Sequence, residues 1–324
     1  MTVRPPDEFA WIASLRPLAR GDPAALNLAD DAAILPARPG LDLVISQDAM
    51  VEGVHFLPGE APDVIARRLL RTSLSDLAAK AADPYAYFLM TAFPPACDEA
   101  WRAAFAAGLA QDSARFGLAL LGGDTVSTVG PLALGATVLG WVPRGKSVLR
   151  SGARRGDILV VWGTIGDGWL GLKAARGEID DPAGALAMRY RLPEPLFGLR
   201  DALRHHAHAA ADVSDGLLAD AGHIAQASGL GVSIDLDALP LSPEARAWLD
   251  RQPDPAEGRV ALAVGGDDYA IVCAVSPERL DRLSSAARQG GGRFTAIGVF
   301  DRDEGVEAVF HGQPMSPAHL GWLH

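Results

Sequence analysis

Aspartate borders one apolar segment after another along this chain. Asp30 and Asp31 precede Ala32-Ala33-Ile34-Leu35, Asp48 follows the run Leu41 to Ser46, and Asp76 lies inside Leu74-Ser75-Asp76-Leu77. Asp124 follows Gly122-Gly123, Asp212 and Asp215 bracket Val213-Ser214, and Asp267 and Asp268 follow Gly265-Gly266. Ligands bind at strand ends in α/β layers, so the pattern predicts a mixed α and β fold with acidic groups at its strand ends. Aspartate is short and stiff, and a hard cation such as magnesium takes fixed oxygen ligands, bridging a few carboxylates to phosphates. Two unit charges 4 Å apart repel by roughly 1 kcal/mol in water and about 4 kcal/mol at an effective dielectric near 20. Converging aspartates therefore need cations. Taken singly, each could be a helix cap or a turn residue; their recurrence favours a shared metal site.

The 324 residues suffice for about two domains. Periodicity predicts strands at Leu41–Ser46, Ala86–Phe93, Leu118–Leu121, Leu132–Val142, Ile158–Trp162, Val232–Asp235 and Tyr269–Val275. Helices are predicted over Pro62–Ala82, from an Asp98 cap through Phe116, and at Gly168–Arg176, Leu217–Ala227 and Pro277–Gln289. The basic, glycine-containing stretch Pro143–Asp157 lacks periodicity and reads as a linker, dividing the chain into domains 1–144 and 145–324. Overlapping its start, Gly140-Trp141-Val142-Pro143-Arg144-Gly145-Lys146-Ser147 satisfies the phosphate-loop pattern GxxxxGK[ST]. That motif needs a helix beginning at the lysine. Two glycines and three arginines without an apolar stripe follow Lys146, so the match is expected to be a coincidence.

Composition excludes several classes. Hydrophobic residues at 49% are too many for disorder, and a net charge of −11 is the wrong sign for a duplex-binding surface. No nucleic-acid partner is expected. The longest uncharged apolar run, Gly130–Val142, is shorter than the roughly 20 residues of a membrane helix. Cys97 and Cys273 stand far apart, outside any metal-ligand spacing, and read as buried thiols of a reducing, cytoplasmic compartment. Pro5, Pro6, Asp7 and Glu8 do not form a signal-peptide pattern. Lys80, Lys146 and Lys173 are the sole lysines, so a phosphate site here must use metal, backbone amides or arginine. His205, His206 and His208, in an arginine- and alanine-rich stretch, read as a solvated helix end.

Together these segments resemble the thiamine-monophosphate kinases. The resemblance rests on Asp30-Asp31-Ala32-Ala33-Ile34-Leu35, Asp48 to Phe56 with its Val51-Glu52-Gly53-Val54-His55-Phe56 stretch, Ser73 to Lys80, and Gly122-Gly123-Asp124-Thr125. It continues through Arg150 to Asp157, Gly163 to Asp167, Asp212 to Leu217, and Gly265 to Tyr269, in the family's order over nearly the whole chain. The VEGVHF stretch distinguishes this family from the related aminoimidazole ribonucleotide and selenophosphate synthetases. Gln47, Ser73 and Ala29 stand where members commonly have threonine, asparagine and glycine, and Asp267 where many have glutamate.

The resemblance implies an α+β chain of two mixed domains of the aminoimidazole ribonucleotide synthetase-like type. Their N-terminal domains would pair in a homodimer, with ATP in a cleft between subunits. The activity implied is transfer of the ATP γ-phosphoryl group to thiamine monophosphate, giving thiamine diphosphate, with several Mg2+ ions. By position, Asp30, Ser46, Asp48, Asp76, Asp124, Asp212 and Asp215 would hold magnesium. Gly123, Asp124, Arg150 and Ser214 would lie along ATP, and His55, Asp267 and Trp322 would face the acceptor. Asp124, Arg150 and Asp215 would serve catalysis. A related synthetase with another acceptor, or a non-enzymatic divalent-cation binder, remain the alternatives.

Overall fold

Short apolar runs alternating with amphipathic ones produce two separate sheets among the described residues, 8–289 and 294–322 of this computed structural model. The chain forms two compact units: residues up to Leu77 with Ala82–Gly145, and Ala78–Ala81 with Lys146 onward.

The first unit contains α1 (Glu8–Leu15), β1 (Leu41–Val51), α2 (Pro62–Ala79, whose end belongs to the second unit), β2 (Asp83–Phe93), α3 (Glu99–Phe116), β3 (Ala119–Ser127) and β4 (Ala133–Pro143). Its sheet has the order β1-β4-β2-β3, parallel only between β2 and β3. The α3 crossover links that pair, as a parallel connection requires. Asp98 caps α3 by accepting the Trp101 N–H at 2.8 Å, and Gly117 ends it at φ +72°. One sheet face lies under the helices: Tyr87 of β2 meets Ser113 of α3, and Phe93 packs edge-on against Phe105. Helices α2 and α3 are joined by buried Arg71, whose Nε and Nη2 both bond the Asp112 carboxylate. The period of two places Ile45, Gln47 and Ala49 of β1, with Met90 of β2 and Asp124 and Val126 of β3, on the opposite face, where all six are exposed.

Three expectations change here. Strand β1 runs on to Val51, so Asp48 lies inside it rather than after its end. Strand β3 runs on to Ser127, so Gly122-Gly123-Asp124-Thr125 lies inside a strand rather than in a loop after one. Helix α2 stops at Ala79, before Ala82. Ala81 turns left-handed (φ +57°) and the Ala82 N–H reaches back to the Leu77 carbonyl, a Schellman closure that periodicity alone does not reveal.

The second unit contains β5 (Ile158–Trp162), α4 (Asp167–Ala175), α5 (Ala185–Arg191), α6 (Arg200–His206), β6 (Ala207–Asp212), α7 (Leu217–Ala227), β7 (Gly231–Asp235), α8 (Pro243–Leu249), α9 (Pro255–Val264), β8 (Ile271–Val275), α10 (Pro277–Gln289), β9 (Phe294–Arg302), β10 (Val306–Phe310) and β11 (Gln313–Met315). Its sheet order is β11-β10-β7-β9-β5-β8-β6. Alternate residues feed two cores. Leu159, Val161, Ala211 and Val272 pack with α7 and α9, while Val160, Ala210, Cys273 and Val275 pack with α6 and α10. Ala78, Ala79 and Ala81 join the second of these cores, and Lys80 donates to the Ala210 carbonyl at 2.8 Å. Burial pushes the Cys97 thiol up to about 11 and Cys273 upward as well; both are free and buried.

The histidine stretch also differs from expectation. His205 and His206 end α6, but His208 is on β6 with its Nδ1 2.8 Å from Asp157 Oδ2, and both side chains are largely buried. The alanines that suggested a helix end are the small buried residues of the edge strand β6.

Candidate functional site

In the first unit, β1 and α2 bring a compact oxygen group together. Ser46 and Asp48 are two residues apart on the helix-covered side of β1, so both project toward α2. The Ser46 hydroxyl donates to Asp76 Oδ2 at 2.5 Å, the short distance of a charge-assisted bond. The Asp48 carboxyl is pushed up to about 6, first by burial and then by the charge of Asp76, while the nearby Ser73 hydroxyl pulls it down. Two carboxylates and a hydroxyl with mutual repulsion form a donor set that fits a hard, oxygen-preferring cation. The Ser73 hydroxyl donates to the Leu69 carbonyl at 3.0 Å within α2.

A second group lies on the open face. Asp30, Gln47, Gly123 and Asp124 border a cleft of about 570 Å3. Cross-strand registry aligns Ala49, Gly135, Met90 and Asp124 in one row, and the neighbouring row runs from Asp48 through Ala136 and Leu89 to Gly123. Asp124 and Asp48 are therefore three strand spacings apart, about 14 Å, and point to opposite faces. Within one chain they cannot share an ion. Gly123 also has a packing reason to be glycine, since a Cβ there would overlap the Leu89 carbonyl oxygen. His55 stands after β1, its Nδ1 accepting the Val51 N–H at 3.0 Å, which leaves the ring proton at Nε2.

In the second unit, β6 runs antiparallel to β8, so the end of β6 meets the loop that leads into β8. Asp212, 5% exposed, ends β6, and Ser214-Asp215-Gly216 turns into α7. The Ser214 carbonyl accepts the Asp267 N–H at 2.7 Å and the Asp215 carbonyl accepts the Trp322 N–H at 2.8 Å. Asp212, Ser214, Asp215, Asp267 and Trp322 are thus gathered at one end of this sheet by backbone bonds. The side chains of Asp267 and Trp322 nevertheless border different hollows. Trp322, 57% exposed, sits at a mainly apolar pocket of about 770 Å3 with Trp169, Val264 and Met315. Asp267 lines a hollow of about 40 Å3 with Thr164, Asp167 and Arg189.

Asp220 and His223 escaped sequence reasoning, and Asp268 was read only as one of the segment-end aspartates, with no role of its own. Asp220 is fully buried and accepts the N–H groups of Ser214, Asp215 and Gly216. Its other oxygen is 3.4 Å from His223 Nδ1, and ligand atoms of Asp215, Asp220 and His223 lie within 4.8 Å of one another. The adjacent Asp220 carboxylate raises the His223 pKa, against burial and nearby Arg150, which lower it. Asp268 bonds the Gly166 and Gly168 N–H groups at the start of α4, and burial holds its carboxyl well above the ordinary range. The available signal was position: an aspartate one turn into a helix after Ser-Asp-Gly can reach back to cap it. Exposed Arg150 precedes a turn whose Gly152 and Ala153 N–H groups are held by Ser228 Oγ at 3.2 and 3.1 Å.

The phosphate-loop match fails structurally. Gly140 is a buried residue inside β4, where a Cβ would come within 2.8 Å of the Asp83 carbonyl oxygen, and no helix follows Lys146 until α4. No described helix is long and apolar enough to cross a membrane.

Comparison with known proteins agrees with this architecture. Residues 29–142 match the family described as AIR synthase related protein, N-terminal domain, and residues 154–311 its C-terminal domain. The chain is 61% identical over 321 residues to a thiamine-monophosphate kinase of Caulobacter vibrioides, covering 99% of this chain and 91% of that one. It superposes on the crystal structure of a thiamine-monophosphate kinase from Stenotrophomonas maltophilia with a TM-score of 0.84 at 35% identity, covering 95% and 98% of the two chains. It also superposes on AaThiL complexed with AMPPCP and TMP, with a TM-score of 0.77 at 26% identity and full coverage of both.

Proposed function

We propose a mechanism for this chain, which belongs to the thiamine-monophosphate kinase family and has that family's phosphotransferase activity. ATP is the co-substrate and thiamine monophosphate the acceptor. A phosphate oxygen of the acceptor attacks the γ-phosphorus in line. The bond from that phosphorus to the β-phosphate oxygen breaks, its electron pair leaving with ADP, and thiamine diphosphate is formed. The acceptor is already anionic at neutral pH, so no strong general base is needed, and catalysis rests on positioning and charge neutralisation.

The oxygen-only group of Ser46, Asp48 and Asp76 is the observation that carries the metal-assisted part of this reading. These three would hold magnesium in the first unit and Asp212 and Asp215 in the second. Bound magnesium would neutralise and orient phosphate oxygens. Asp30 and Asp124 would hold magnesium at the open-face cleft, with Gly123 beside the nucleotide. Arg150 would place its guanidinium on a phosphate, and Ser214 would lie along ATP. His55 would present its Nε2 proton to the acceptor, Asp267 would bond it, and Trp322 would cover an aromatic ring. Residues 1–144 would thus serve ATP, metal and dimerisation.

Homodimer pairing through the first sheet is part of the same proposal. Its open face exposes Ile45, Met90 and Val126, apolar groups in an arrangement that favours burial. A partner's face placed there would also close the cleft at Asp30 and Asp124.

Incubating the protein with ATP, Mg2+ and thiamine monophosphate should yield ADP and thiamine diphosphate in equal amounts. Absence of thiamine diphosphate would overturn the assignment. ATP turnover with another acceptor would favour a related synthetase, and metal binding without any turnover a cation-binding protein.

A further inference from the structure

We propose that Asp220 is a positioning residue for this reaction, setting the metal-side Asp215 and the acceptor-side Asp267 and Trp322 together through one backbone turn. The proposal rests on the functional reading above for its kinetic consequences, but its geometry is independent of that reading.

The turn Ser214-Asp215-Gly216 leads into helix α7 at Leu217, and its buried N–H groups need partners. Asp220 Oδ2 accepts the three successive N–H groups of that turn, from Ser214 at 3.0 Å, Asp215 at 3.1 Å and Gly216 at 3.2 Å. The carboxylate reaches back from one turn inside the helix, extending the capping-box principle over three donors. At 0% exposure, such a carboxylate is tolerated only with this compensation. It also places a fixed anion where a helix start would otherwise attract phosphate. A negative charge is thereby set beside Asp215.

The carbonyls of the same turn face other segments. Val213 O accepts the Tyr269 N–H at 2.8 Å, Ser214 O the Asp267 N–H, and Asp215 O the Trp322 N–H. These approaches are close enough to demand glycine: a Cβ at Gly266 would lie 2.6 Å from Ser214 O, and one at Gly321 the same distance from Asp215 O. Asp267 itself is held at φ +61°, a conformation its surroundings must enforce. With N–H groups held by Asp220 and carbonyls by the acceptor-side segments, the turn has little independent freedom. Loosening it should shift metal and acceptor binding together.

Two variants of the full chain, Asp220→Ala and Asp220→Asn, test this by steady-state kinetics and amide hydrogen exchange. Asp220→Ala should raise both the half-saturating Mg2+ concentration and the KM for thiamine monophosphate by about tenfold or more, as expected for loss of a charge-assisted hydrogen bond. Exchange should accelerate at 214–216 and also at 265–269 and 319–322. Asp220→Asn keeps an acceptor oxygen for the turn but loses the charge. It should leave the acceptor KM within a few-fold, raise the Mg2+ requirement and show near wild-type exchange. Should Asp220→Ala not fold, an unchanged Mg2+ requirement in Asp220→Asn overturns the proposal. So does activity of Asp220→Ala that falls only with its folded fraction, at unchanged KM and Mg2+ requirement, or accelerated exchange confined to 214–216. A wild-type protein that makes no thiamine diphosphate would refute the kinase reading, while the exchange results would still decide the coupling.

Discussion

Asp48 carries opposed demands. We propose that it holds a cation, and without one its burial and the neighbouring Asp76 raise its carboxyl from 3.8 to about 6. In the unfolded chain it titrates near the lower value, so between the two the native state binds more protons and stability falls as pH rises. The stabilising contribution is complete below pH about 3.8 and lost on passing through about 6. The resulting cost at pH 7.5 is on the order of 3 kcal/mol. Asp48→Asn should therefore raise the melting temperature of the metal-free protein at pH 7.5 and flatten its decline between pH 5 and 7.5, while removing Mg2+-dependent turnover. Parallel melting curves for variant and wild type would contradict this account. Asp48 was legible as a candidate because it borders an apolar run. The short bond between Ser46 and Asp76 was not, since it joins residues thirty apart whose meeting depends on how α2 lies on β1.

Elements bounded by local chemistry were predicted closely. Strand β5 and helices α7 and α10 match residue for residue, and α3 begins at its Asp98 cap. Elements bounded by tertiary pairing were not. Strand β3 extends through two glycines because Gly122 and Gly123 pair with Phe88 and Leu89, and a glycine pair in isolation reads as a loop. The same distinction governs the GxxxxGK[ST] match, whose first glycine is committed to β4 and whose lysine, exposed beyond the strand, begins no helix. Lys146→Ala should leave the KM for ATP within a few-fold. A hundredfold loss of turnover, about 2.7 kcal/mol of transition-state stabilisation, would show that the lysine contacts the transferred phosphate after all.

At the scale of the molecule, the exposed part of the first sheet's second face, with Ile45, Met90 and Val126, is the feature that most needs a partner. Ile45 is 57% exposed on its outer strand β1. If the face pairs with a second copy, an unpaired carboxylate buried there is costly. Ile45→Glu should then shift the protein from dimer to monomer in sedimentation velocity at micromolar concentration. A dimer unaffected by the change would place the interface elsewhere. The sequence by itself determined the family, the mixed α and β class and the candidate aspartates, because caps, periodicity and motif order are local properties that survive without coordinates. Only the tertiary structure decided which aspartates meet. Asp48 joins Asp76 through the packing of β1 against α2, Asp124 is carried to the opposite face three strand spacings away, and Asp220 serves the backbone of a turn. Those relations depend on registry and on which face each side chain occupies, and an aspartate looks the same in sequence whichever of them it enters.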